Sequence, residues 1–294
     1  MNKTLQETAR NLLAANKVDI IIGYAEGYDA FHARPVFISN SEDVDTLIFN
    51  KYCTNNLAVY LPIHKKLKVG IVAKACDRKS IHELIKEHQI PEESVVIIDA
   101  ACVGVVGKRG VEQIDERCAG CDKAVGAGSK PALSEPALFS GVGVDLCVYP
   151  IARENDTDTA IPMTMDRFEK LTSKERERFW DKEFERCIRC YACRHVCPVC
   201  YCPDCFVNRS LPKYLNERVN GAENKLFSTV RMMHVFGRCT DCRACDNACP
   251  TGIPLHLLTK KMASDALELF GYESGQGQEH PFAVFKKDEI LEGI

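Results

Sequence analysis

No stretch of this sequence reaches the roughly 18 consecutive apolar residues that a membrane-spanning helix requires. The best run, VVIIDAACVGVVG (95–107), is too short and holds Asp99. The opening MNKTLQETARNLLAANK mixes charge into a helical pattern and has none of the apolar core of a secretory signal. The expected location is therefore cytoplasmic, with no membrane span. Basic excess is lacking too. Against 41 Asp and Glu stand 38 Lys and Arg, so there is no electrostatic footprint for nucleic acid. No phosphate-binding loop, nucleophile elbow or paired carboxylates can be found. The glycines of CVGVVGKRG (Gly104, Gly107, Gly110) do not make a G-x-G-x-x-G fingerprint and read as turn and close-packing positions. Tryptophan occurs once.

Cysteine is the opposite case, with 17 in 294 residues. A reducing compartment keeps thiols from pairing, so ligation of metal is the expectation, not disulfides. A lone buried thiol acting as a small hydrophobe suits Cys147 in GVDLCVYP. It does not suit CIRCYACRHVCPVCYCPDC (187–205), which packs seven cysteines into nineteen residues. There Cys187, Cys190, Cys193 and Cys197-Pro198 spell C-x2-C-x2-C-x3-C-P. Cys239, Cys242, Cys245 and Cys249-Pro250 repeat it. This is the bacterial two-cluster ferredoxin spacing. Three thiolates on a tight loop grip three corners of one 4Fe–4S cube, and the fourth, beside proline, ligates the other. One cluster is thus assigned Cys187, Cys190, Cys193 and Cys249. The other is assigned Cys239, Cys242, Cys245 and Cys197. Zinc, which favours two separated C-x2-C pairs, fits this pattern poorly. Cys193, Cys197 and Cys200 also match the radical S-adenosylmethionine spacing, but two of them belong to the ferredoxin pattern and no barrel-like strand series follows.

Cys200, Cys202 and Cys205 exceed what a ferredoxin needs. Three readings stay open: an extra metal or cluster site with Cys53, tuning of the cubes through sulfur contacts and dielectric, or a contact surface for a redox partner. Of the histidines, His64, His82, His88 and His256 have no ligand-like spacing, while His195 sits inside the first cluster loop. Arg186, Arg189, Arg194, Arg238 and Arg243 flank both motifs, where they would screen cluster charge or form a docking face.

The first half reads as α/β. Apolar positions at helical spacing (Leu5, Ala9, Leu12, Leu13) predict a helix over 4–16. Strands are predicted at 18–24, 35–39, 68–74, 94–100 and 144–150, and helices at 41–49 (Ser41 as N-cap) and 79–90, the latter ended by Pro91. Short β-branched runs between helices predict a mainly parallel sheet. A long Gly/Pro/Ser/Lys-rich loop follows over about 108–142. Further on, residues 164–186 read as a charged helix or helix pair, 257–272 as an amphipathic helix, and 281–294 as a partly apolar tail. Cys76 follows one strand and Cys102 the next, so both emerge at the carboxyl edge of a parallel sheet, where α/β folds place ligands. With Cys118 and Cys121 from the loop they form a candidate four-thiol site, for which a cluster and zinc are both open.

KVDIIIGY, ARPVFIS, NKYCTNNLAVYL, KVGIVAKACD and VVIIDAACVGVV resemble the N-terminal domain of the beta subunits of deazaflavin-coenzyme-reducing hydrogenases and related formate dehydrogenases. The resemblance covers roughly residues 10–125. It implies a 4Fe–4S cluster on Cys76, Cys102, Cys118 and Cys121, and so at least two clusters, with a third here and a fourth if the extra site exists. Proteins of that family bind FAD, in a region running well past the C-x2-C. Here that region is short and the ferredoxin part comes after it, so FAD is not carried over as an expectation.

The expected organisation is an α/β hydrogenase/dehydrogenase beta-subunit-like domain (1–155), a helical, bacterial-ferredoxin-like 2×(4Fe–4S) domain (156–272) and a C-terminal tail (273–294). The expected function is an iron–sulfur electron-transfer subunit of an anaerobic, multi-subunit oxidoreductase. It would relay electrons between a partner redox enzyme (hydrogenase, formate dehydrogenase or heterodisulfide-reductase-like flavoprotein) and a second acceptor, with no bond-making chemistry of its own. The alternative is a flavin-containing subunit that itself reduces a deazaflavin or nicotinamide coenzyme. The expected partners are redox proteins in a hetero-oligomeric complex.

Overall fold

Two of the predicted strands form the centre of a four-stranded sheet in the computed structural model, which describes residues 2–107, 114–119, 121 and 163–276. Helix α1 (Asn2–Ala14) buries Leu5, Ala9 and Leu13, one face at four-residue spacing. Strand β1 (Ile20–Glu26) follows, then β2 (Ala33–Ile38), β3 (Val69–Ala73), α2 (Ala75–Lys86) and β4 (Val95–Asp99). The sheet order is β2-β1-β3-β4. β1, β3 and β4 run parallel, while β2 pairs antiparallel with β1 along one edge. The sheet is thus mainly parallel, as expected. β3 is buried at all five positions, the pattern of a strand covered on both faces. Pro35 lies on the edge strand, where its missing N–H breaks no central ladder. Gly70 is required by close packing: a Cβ there would come within 2.5 Å of Ile21 Cδ1.

Several boundaries differ from the sequence reading. The helix predicted over 79–90 begins at Ala75 and stops at Lys86. Its start is fixed by Asp77, whose carboxylate accepts the Lys74 backbone N–H (3.1 Å) and pairs with Lys74 Nζ (2.9 Å). Its end is fixed by His88, at φ 53°. The stretch 41–49 is a 3-10 turn over Ser41–Thr46, capped by Asn40 and not by Ser41. The predicted strand 144–150, Cys147 and the tail 281–294 lie outside the described residues. So does most of the 108–142 loop, apart from a β-bridge between Val106 and Ile114 and the short helix α3 (Glu116–Ala119).

The charged stretch from 164 is a helix pair, α4 (Met165–Glu169) and α5 (Ser173–Glu185). A capping box joins Thr172 and Glu175: the Glu175 N–H donates to Thr172 Oγ1 (3.4 Å), and the Thr172 N–H donates to Glu175 Oε2 (2.7 Å). Then come α6 (Ala192–His195), α7 (Gly221–His234), α8 (Ala244–Ala248) and α9 (His256–Phe270). The sequence reading missed α7, although Asn220 caps it by accepting from the Glu223 N–H (3.0 Å). The single tryptophan, Trp180, stacks on Phe184 at 5.4 Å inside a second apolar core with Phe168, Ile253, Leu255 and Leu257.

A polar stripe on α2 joins the two halves. Cys76, Ser80, Glu83 and Glu87 recur at helical spacing. Ser80 Oγ meets Thr240 Oγ1 (2.8 Å). Glu83 accepts from Tyr272 OH (3.2 Å) and from the Gly275 N–H (2.5 Å), and Glu87 pairs with Arg238 (2.6 Å).

Lys74 and Asp77 are both buried, so each depends on the other for its charge. Asp77→Ala leaves an uncompensated ammonium and is expected to cost about 3–5 kcal/mol. The double variant Lys74→Met/Asp77→Ala is expected to recover most of that loss. Chemical denaturation followed by circular dichroism measures both; equal midpoints for the single and double variants would refute the coupling.

Candidate iron–sulfur centres

The two C-x2-C-x2-C loops share an uncommon backbone. Arg189 and Tyr191 flank Cys190 at φ 50° and 59°, and Asp241 and Arg243 flank Cys242 at φ 50° and 51°. Four non-glycine residues in the left-handed region are costly, of order 1 kcal/mol each or more. Tyr191 and Arg243 then start α6 and α8. Backbone N–H groups are turned to sulfur: Arg189 donates to Cys187 Sγ (3.4 Å) and Ile253 to Cys249 Sγ (3.4 Å). In the second loop the Asp241 N–H acts on Cys239 and the Ala244 N–H on Cys242. Such bonds favour the thiolate.

The thiols group across the two loops. Burial pushes the Cys187 thiol up, and the thiol charge acting most strongly on it is that of Cys249. Cys193 is pushed up to about 11, first by burial, and again Cys249 leads among its thiol neighbours. In the second loop burial pushes Cys239 up to about 12, Cys242 up and Cys245 well above the usual thiol range. Cys197 is a thiol neighbour of all three and the foremost one for Cys242 and Cys245. Cys197, Cys239, Cys242 and Cys245 line one cavity, together with Arg231 and Thr259. The fourth cysteine of each motif thus has members of the other motif's trio as thiol neighbours.

Cys76 lies in the first turn of α2 and Cys102 three residues beyond β4, so both stand at the carboxyl edge shared by β1, β3 and β4. Cys118, on α3, accepts from the Val105 N–H (3.5 Å) and is a neighbour of Cys102. Cys121 is exposed, one turn further along. Cys53 is buried, pushed up to about 11 by burial, with Cys102 and Lys74 beside it. Cys200 has Cys197, Cys202 and Cys205 as thiol neighbours, and burial pushes it up to about 12. Cys205 is buried and Cys202 half-buried. Among the described residues no three His, Cys, Asp or Glu groups draw together tightly enough to hold a single metal ion. Cys197, Cys239, Cys242 and Cys245 instead line a cavity.

The donors facing them fit a sulfur-rich anionic group. Arg117 and Arg231, which the sequence reading overlooked, are the main ones. All three side-chain nitrogens of Arg117 are buried with no hydrogen-bond partner among the described residues, as is Nε of Arg231. After burial, the charges acting most strongly on Arg117 are those of Cys76, Asp115, Cys242 and Cys118. Those acting most strongly on Arg231 are Cys197, Cys245, Cys193 and Cys200. A buried, unsatisfied guanidinium is stable only opposite an anion. No periodicity in the sequence marks either residue. Of the flanking arginines, Arg189 is buried and pairs with Glu223 (2.6 Å), Arg186 is exposed, and Arg243 bonds Asp115 (3.1 Å). His195 is exposed, and His256 lines the cavity of the Cys239 set, hydrogen-bonded to Asp246.

Residues 182–253 match a family described as a 4Fe-4S dicluster domain. Over 90% of its own length and 89% of the relative's, the chain is 23% identical to the F420-dependent formate dehydrogenase subunit beta of Methanocaldococcus jannaschii. Over 93% and 90% it is 23% identical to the F420-dependent formate dehydrogenase 1 subunit beta of Methanococcus maripaludis. Both alignments, over 340 and 352 residues, are longer than this chain, so the relatives carry segments that it lacks.

Thiol accessibility differs sharply within these sets. Brief alkylation of the chelator-stripped protein is expected to modify Cys190 and Cys121, both exposed, well before Cys239 and Cys245, whose thiolates are disfavoured by burial. Peptide mass spectrometry reads the order. Uniform labelling would contradict the enclosure described for the second loop.

Proposed function

We propose that the chain relays single electrons through three 4Fe–4S clusters set in a row, between a partner redox enzyme and a second acceptor. It is an iron–sulfur electron-transfer subunit of an oxidoreductase. A cluster at each thiol set supplies a site that takes up and gives back one electron; everything else is the work of the chain. Cys187, Cys190, Cys193 and Cys249 hold the outer cluster. Cys239, Cys242, Cys245 and Cys197 hold the middle one. Cys76, Cys102, Cys118 and Cys121 hold the cluster at the sheet edge.

One observation carries this reading. The middle set has no exposed cysteine, whereas each flanking set has one, Cys190 and Cys121. Bridging side chains also link the middle set to both neighbours. The Asn56 side chain reaches Cys242 and hydrogen-bonds Ser80 (2.9 Å), one turn after Cys76. On the other side Arg231 donates to Cys193 O (3.1 Å) while lining the middle cavity. This supports entry and exit of electrons at the two ends, with the middle cluster between them.

The formate dehydrogenase beta subunits that the chain resembles are, by name, parts of larger enzymes. This supports a place in a hetero-oligomeric complex. Their dependence on F420 favours a second reading, in which a flavin at the sheet edge passes electrons to a deazaflavin.

Anaerobic iron, sulfide and flavin analysis separates the two. The relay predicts roughly twelve iron and twelve sulfide per chain, four of each per cluster, and no flavin. Cys249→Ser and Cys187→Ser are expected to alter the same electron paramagnetic resonance signal, and Cys197→Ser a different one. A yield of about eight irons would remove the sheet-edge cluster. One flavin per chain would favour the second reading.

A further inference from the structure

Two buried arginines bridge the gaps between thiol sets, one at each step. Arg117, on α3, precedes Cys118 of the sheet-edge set in sequence, and the thiol charges acting on it come from Cys76 and Cys118 of that set and Cys242 of the middle one. Its Nε lies 3.7 Å from Asp115, which also accepts from Arg243 Nη1 (3.1 Å), next to Cys242 in the second loop. Arg231, on α7, lines the middle cavity and also the adjoining one bordered by Cys193, Phe227 and Leu258. It is 5% exposed, and its Nη2 donates to the backbone carbonyl of Cys193. Both guanidiniums keep buried N–H groups that bond to no described residue.

Enclosure works against adding an electron to an already anionic centre, because the extra charge is poorly solvated. The middle set is the most enclosed of the three, and it alone has both guanidiniums as neighbours. A fixed cation within a few ångströms favours the more negative state, and more strongly away from water. Arginine suits this role because it stays charged wherever it is buried.

Building on the three-cluster reading, we propose that Arg117 and Arg231 each span one step of the relay and together hold the middle couple above the potential its enclosure would give. They are positioning residues: they touch no substrate and ligate no iron. Each sets two neighbouring couples at once, and the middle couple is the one that both set.

The test is a redox titration of the full, cluster-loaded chain, followed by electron paramagnetic resonance. Arg117→Gln is expected to move the sheet-edge and middle couples to more negative potential and leave the outer couple in place. Arg231→Gln is expected to move the middle and outer couples negative and leave the sheet-edge couple in place. Arg117→Lys and Arg231→Lys, which keep the charge, are expected to restore most of each shift. If a glutamine variant does not load, Asp115→Asn provides the converse: removing the anion beside Arg117 moves the sheet-edge and middle couples positive. The proposal is overturned if the paired couples stay at wild-type potentials, if all three move together, or if Asp115→Asn moves none. Three wild-type couples with no such pattern defeat this proposal alone. Fewer than three wild-type couples defeat the relay reading and this proposal with it.

Discussion

Negative charge on sulfur, gathered where water is scarce, is the constraint on which the rest of this molecule depends. Thiolates are poorly tolerated in low dielectric, and here burial pushes up Cys187, Cys193, Cys239, Cys242 and Cys245 alike. The surroundings oppose that tendency piece by piece. Left-handed residues around Cys190 and Cys242 turn amides toward sulfur. Arginines replace the counter-ions that water would have held. Even the buried Lys74 belongs to this arrangement. Burial favours its neutral form, yet Asp77 and then Cys76 hold its pKa above the ordinary value.

Legibility from sequence followed the kind of constraint. The dicluster domain was legible because cluster geometry leaves its mark as cysteine spacing, CIRCYACRHVCP repeated as CTDCRACDNACP. Strands β1 and β3 were legible because a strand covered on both faces is a short, unbroken β-branched run, and β4, at the sheet's edge, shares that composition. The carboxyl-edge placement of Cys76 and Cys102 then followed from their position after two parallel strands. Arg117 and Arg231 were not legible, because a guanidinium can reach a cavity from any helix and leaves no spacing behind. Helix α7 was lost among the cysteines around it. The start of α2 was misplaced by four residues because its capping group, Asp77, acts from inside the helix instead of ahead of it.

The joint between the two halves was hidden for a related reason. Patterns of apolar residues reveal faces that pack on a core, whereas α2 meets the helical half through Ser80, Glu83 and Glu87. A polar stripe looks in sequence like a solvated surface. In the structure it is an interface whose hydrogen bonds fix the distance between Cys76 and the second cysteine loop. The same helix thus carries a thiol at its first turn and sets the span to the next site along its length. Precision of that kind matters when an electron must cross without a moving carrier.

The two cysteine loops make the protein locally pseudo-symmetric: the same left-handed pair, the same short helix after it, the same cysteine-proline ending. What differs is what has been built against each copy. Around the first loop, contacts come from the helical half itself, such as Glu223 on Arg189 and Phe227 on Tyr191, and Cys190 stays exposed. Around Cys242, Asn56 and Arg117 come from the other half of the chain. Polarity in this molecule is therefore not written into the repeated unit. It is imposed by the α/β half, which turns one of two equivalent loops from a terminus into a junction.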